Sequence, residues 1–89
     1  MHVVVSPIVN INGTSREELL NQWRRAHEAL LNAETALREC TPHGRDFQTD
    51  RTGQLYNEAR EQHMIRLAHL IAIRKEVEAV AINIYDQRK

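Results

Sequence analysis

The sequence predicts an all-α protein: an antiparallel two-helix hairpin with a short extended or β N-terminal segment, assembling as a helical homo-oligomer. Three observations lead there. Residues 15–40 and 54–86 each carry apolar side chains at helical spacing. A loop over 41–53, holding two of the three glycines and one of the two prolines, separates them. The second stretch carries more apolar surface than one partner helix can cover. All 89 residues read as one domain, since a chain of this length has no room for a second core.

The extended segment, residues 1–13, opens with Val3-Val4-Val5, is broken by Pro7, then alternates Val9 and Ile11 with Asn10 and Asn12 before an Asn12-Gly13 turn. One strand is not stable alone. It therefore forms a small hairpin, pairs with a neighbouring subunit, or lies extended over the helices.

The first helix starts on a capping box, Ser15 followed by Glu18, with Glu17 and Glu18 placed to favour the helix dipole. Leu19, Trp23, Ala26, Leu30, Ala33, Leu37 and Cys40 alternate in gaps of four and three, the spacing of a heptad seam. Arg24, Glu28, Glu34 and Arg38 fall on the opposite face. Pro42 disfavours helix at the residue before it and closes the element. In the second helix His63, Leu67, Leu70, Arg74, Val77, Ala81 and Ile84 form the seam, with Asp50 or Thr52 as cap. Beside it lie Met64, Ile71, Ile73, Val80 and Ile82. The chain has no third helix to cover that line, so another copy of itself is expected to do so.

Composition narrows the function. Twelve basic residues balance twelve acidic ones, so a strong sequence-independent hold on DNA or RNA is not expected. Ten of the basic residues are Arg, the residue suited to bidentate contacts with carboxylate or phosphate. No run of eighteen apolar residues is present and Met1 to Pro7 lacks a basic n-region, so neither a membrane span nor a signal peptide is expected. Cys40 is the single cysteine, which suits a reducing compartment, and a cytoplasmic protein is expected. As a small residue in the seam, Cys40 is expected to be a packed thiol.

Catalytic patterns are weak. No helical position three or four residues from His27, His63 or His69 is a metal ligand, so no metal or other cofactor is expected. Glu58 and Glu61 form an ExxE pair without the second acidic half of a magnesium site. There is no Gly-rich phosphate loop of known type. The expectation is a protein that is not an enzyme.

The loop is the most informative stretch. His43, Gly44, Arg45, Phe47, Arg51 and Arg60 are the candidate ligand-binding residues. Gly44 permits a tight turn or a positive φ, Phe47 anchors the loop, and arginines flank the start of the second helix, an end suited to anions. In the alternative reading the loop only joins the helices, with His43 and Arg45 capping the last carbonyls of the first.

Asn12-Gly13-Thr14-Ser15, Glu17, Leu19-Leu20 and the later Pro42-His43-Gly44-Arg45-Asp46-Phe47 resemble small uncharacterised helical-hairpin proteins of tailed bacteriophages, over most of residues 8–85. The Pro-His-Gly-Arg-Asp portion is the most specific part. The resemblance implies a viral source, acting in the host cytoplasm, and no particular activity. Small helical phage proteins include oligomeric sponges that sequester cyclic-nucleotide immune signals, a likeness of architecture only. Two functions follow as expectations: an anti-defence sponge holding a phosphate-bearing nucleotide in its loop, or a phage structural or assembly accessory acting through helix-mediated protein contacts. The expected partners are thus other copies of the chain and an anionic nucleotide, with no nucleic acid polymer and no membrane.

Overall fold

In the computed structural model, which describes residues 3–87, two long helices pack against each other as an antiparallel hairpin. Helix α1 spans Arg16–Glu39 and α2 spans Gln54–Tyr85, joined through a 3₁₀ turn at Gly44–Phe47. The first two residues of the 1–13 segment lie outside the described residues. The rest of that segment is extended and forms no strand among the described residues.

Local chemistry sets the ends. The Ser15 hydroxyl accepts the Glu18 N–H at 3.1 Å and starts α1. At its end the Thr41 N–H and hydroxyl both donate to the Arg38 carbonyl, at 3.1 and 2.6 Å. Thr41, and not His43 or Arg45, therefore satisfies this helix end. The Arg16 guanidinium, at the start of α1, donates to the Tyr85 carbonyl at 2.6 Å and lies 5.0 Å from the Tyr85 ring centre. Since the last turn of α2 has no basic residue of its own, Arg16 brings a cation to the negative end of its dipole.

Leu20, Val80 and Ile84 make the buried core, at the end of the hairpin away from the loop, with Val4, Val9, Leu19 and Trp23 packed around it. The N-terminal segment lies over this end. Gln87 fastens it, accepting the Val9 N–H at 2.7 Å and donating to the Pro7 carbonyl at 2.8 Å, and Asn83 donates to the Ser6 hydroxyl at 2.9 Å. Of the three arrangements open to the segment, it adopts the one extended over the helices.

The seam of α1 differs from the expected one. Leu19, Trp23, Ala26, Leu30 and Leu37 are half-buried as expected, but Ala33 and Cys40 are exposed. A second inward line runs through Leu20, His27 and Glu34, and ends at the exposed Thr41. Glu34, expected on the outer face, is only 2% exposed. The reason is pairing across the hairpin. Arg74 Nε is hydrogen-bonded to Glu34, while Arg74 Nη1 lies 3.6 Å from Glu78 and Arg38 lies 3.8 Å from Glu34. His27 Nε2 lies 3.3 Å from Glu78. Further along, His63 is buried with Nε2 3.2 Å from the Thr41 hydroxyl. That hydroxyl spends its proton on Arg38, so His63 Nε2–H is the donor.

The seam of α2 is as expected in its buried and half-buried positions, His63, Leu67, Leu70, Arg74, Val77, Ala81 and Ile84. The second apolar line divides. Val80 is buried within the chain, in the core that Val4 and Val9 pack against. Met64, Ile73 and Ile82 stay exposed, at 66, 49 and 50%.

Candidate binding loop

The loop over 41–53 is tied to α2 at its two ends, by Thr41 to His63 and by Asp50 to Leu55, and its middle packs on Tyr56. The Phe47 ring packs on Tyr56 with centroids 5.7 Å apart and planes tilted by 41°. The Arg60 guanidinium, one turn further along, lies 5.6 Å from the centre of the Tyr56 ring. Gly44 sits against the ring's edge, where an added Cβ would lie 3.9 Å away, an ordinary contact. Phe47 is thus the anchor the sequence suggested. Gly44 serves a turn without a positive φ; the left-handed position belongs to Gly53, at φ 72°.

His43 organises the 3₁₀ turn. Its Nδ1 accepts the Arg45 N–H at 3.2 Å and its carbonyl accepts the Asp46 N–H at 3.0 Å. The Arg45 and Arg51 side chains are exposed, and among the described residues neither makes an ion pair or side-chain hydrogen bond. Of the six candidates, then, Gly44, Phe47 and Arg60 meet at Tyr56, His43 braces the backbone, and Arg45 and Arg51 stand free in solvent.

The start of α2 is already occupied by an anion of the chain itself. Asp50 accepts the Leu55 N–H at 2.9 Å, the Thr52 hydroxyl at 2.7 Å and the Thr52 N–H at 3.2 Å. The Thr52 hydroxyl in turn accepts the Gln54 N–H at 3.1 Å. The cap position itself is Gly53, without a side chain, so neither expected cap occupies it; Asp50 and Thr52 reach the first N–H groups of α2 from before it. The Leu55 bond above all, then the Thr52 hydroxyl, holds the Asp50 carboxyl below its ordinary value of 3.8. A phosphate approaching this helix end would meet a seated carboxylate and few open donors. Any anion contact falls to the side chains of Arg45 and Arg51.

The sequence does not mark two of the participants for this role. Tyr56 is one of few aromatic residues and stands four residues before Arg60 on α2, a spacing that places both on one face. Asp50 was named only as a cap, although its charge bears directly on ligand chemistry. No group of three or more His, Cys, Asp and Glu side chains converges among the described residues, and none of the helices is long and apolar enough to cross a membrane. No protein-family model, curated protein or solved structure matches the chain.

Proposed function

We propose that this chain is a non-enzymatic, phage-type protein-binding module, a helical hairpin that works as a homo-oligomer through its helix faces. The supporting observation is its surface. A compact monomer of 10.4 kDa would expose about 5,400 Å² by the usual size scaling, whereas this protomer exposes 7232 Å². Its radius of gyration is 19.0 Å, against about 12 Å for a compact domain of this length. The excess, about 1,800 Å² per copy, exceeds the ~800 Å² per partner of a standard interface. Large apolar side chains stand exposed on α2 at Met64, Ile65, Ile73 and Ile82 and on the N-terminal segment at Val3, Val5, Ile8 and Ile11. Sedimentation velocity over about 1–100 μM tests the reading: a mass above one protomer is expected, and a monomer throughout would refute it.

A second reading, capture of a phosphate-bearing nucleotide by the loop, is favoured by Arg45 and Arg51, whose exposed side chains have no ion pair among the described residues. Calorimetry with cyclic dinucleotides separates the two. Binding tighter than about 100 μM that weakens roughly tenfold or more in Arg45→Ala supports a sponge. Absence of binding leaves helix-mediated association.

A further inference from the structure

The outer face of α2 carries a stripe that is complementary to itself when reversed. Met64, Ile65, Ala68, Ile71 and Ala72 follow one another at helical spacing; Met64 is 66% and Ile65 49% exposed, Ala68 and Ala72 are exposed, and Ile71 is half-buried. Met64, Ile65 and Ala68 line a shallow groove of about 450 Å³. Glu61 and Lys75 bound the stripe, each seven residues from Ala68, and both are exposed with no partner among the described residues.

We infer that α2 pairs antiparallel with α2 of a second copy about a twofold axis beside Ala68. This rests on the homo-oligomer reading above and locates its interface. The charges choose the direction. Parallel pairing in register would set Glu61 against Glu61 and Lys75 against Lys75. Antiparallel pairing about Ala68 sets Glu61 against Lys75 of the other copy, twice, as an isologous contact requires. The same operation brings Ile71 to the groove beside Ile65, and Met64 opposite Ala72. Alanine at the axis lets the two backbones approach to the short end of the 8–10 Å range for packed helices. The partner is a second copy because no other surface need be supplied: groove, filling side chain and both charges come from one stripe.

The test combines cross-linking with a charge swap. In a Cys40→Ser background, Ala68→Cys puts one thiol on the axis, within the ~4.4–6.8 Å Cα separation a disulfide needs. Mild oxidation is expected to give mostly linked dimer, whereas His69→Cys, an exposed position off the stripe, should not. Glu61→Lys and Lys75→Glu should each weaken association about tenfold, and the double swap should return it to within about threefold of the parent. Far-UV circular dichroism confirms that each variant keeps its helices. If the parent is a monomer, both this interface and the oligomer reading fall. If the parent self-associates but Ala68→Cys links no better than His69→Cys and the double swap rescues nothing, the oligomer stands and this interface is overturned.

Discussion

Removing either member of the Glu34–Arg74 pair should destabilise the hairpin, by unequal amounts. Breaking one side of a buried ion pair costs about 3–5 kcal/mol, because the remaining charge loses its partner while staying out of water. Here the two survivors differ. In Arg74→Met, Glu34 stays at 2% side-chain exposure with only Arg38, 3.8 Å away and itself 54% exposed, to answer it. The loss should be about 3 kcal/mol. In Glu34→Met, Arg74 is 18% exposed and keeps Glu78 at 3.6 Å. Partial hydration and a standing partner reduce the loss to about 1–2 kcal/mol. The double variant buries no charge at this level and places two flexible apolar chains in the seam, so it should lie within about 1 kcal/mol of the parent. Urea unfolding followed by circular dichroism, at one fixed protein concentration because association adds to stability, measures all three. A double variant as poor as the sum of the singles would refute the claim that these charges are coupled inside the hairpin, and equal losses in the singles would refute the difference drawn between their surroundings.

Gly53→Ala should cost about 1 kcal/mol through backbone strain alone, since φ is 72° and an added Cβ meets nothing within 4 Å; thermal melts of Gly53→Ala and Gly53→Asn should show the smaller loss for Asn, which tolerates this region. Asp50→Ala should destabilise the protein at neutral pH by removing the carboxylate that accepts the Leu55 N–H at the start of α2. The folded carboxyl sits below 3.8, so its contribution is present above that value and lost as the pH falls through the folded value. The gap between parent and variant in unfolding experiments should therefore hold near neutrality and close below pH 3.8. Cys40→Ala should change stability by less than about 0.5 kcal/mol, because the thiol is exposed; a larger loss in urea unfolding would place Cys40 back in the core.

The parts of the fold that were legible in the sequence are those that local chemistry decides. Ser15 with Glu18, and Thr41 before Pro42, mark the ends of α1 within a residue. The face of α1 was harder because two heptad lines share Trp23, Leu30 and Leu37. One runs through Leu19, Ala26, Ala33 and Cys40, the other through Leu20, His27, Glu34 and Thr41. By polarity the first is the better seam. The first holds only as far as Ala26; what turns Glu34 inward in place of Ala33 is Arg74, forty residues away, and a local pattern holds no trace of so distant a partner. The same blindness applies to Val80. It is buried in a cluster against which Val4 and Val9 of the extended segment pack, and nothing in the periodicity of α2 tells a residue buried in that way from one left for another subunit. In the loop, Phe47 was legible as an anchor because it is the single phenylalanine. Its counterpart Tyr56 was not, since the only mark on it, an Arg60 four residues on, is a spacing too common in helices to single it out.

The distribution of contacts along the hairpin ties stability to association. Apolar burial is concentrated at the end covered by the N-terminal segment, where Leu20, Val80 and Ile84 meet. The loop end is held by the Phe47–Tyr56 contact. Between them, the layers at Glu34–Arg74 and His27–Glu78 fix which residues face each other, but ion pairs of this kind add specificity more than net stability. The middle of the hairpin is therefore well registered and poorly supplied with buried apolar area. The stripe from Met64 to Ala72 lies on that same middle portion of α2, facing away from α1. A second copy docked there would bring hydrophobic burial to the part of the protomer that has least of its own. If so, the dimer should resist urea cooperatively, and variants that separate the copies should first loosen the central turns of α2, read by amide exchange at residues 64–75 ahead of the ends.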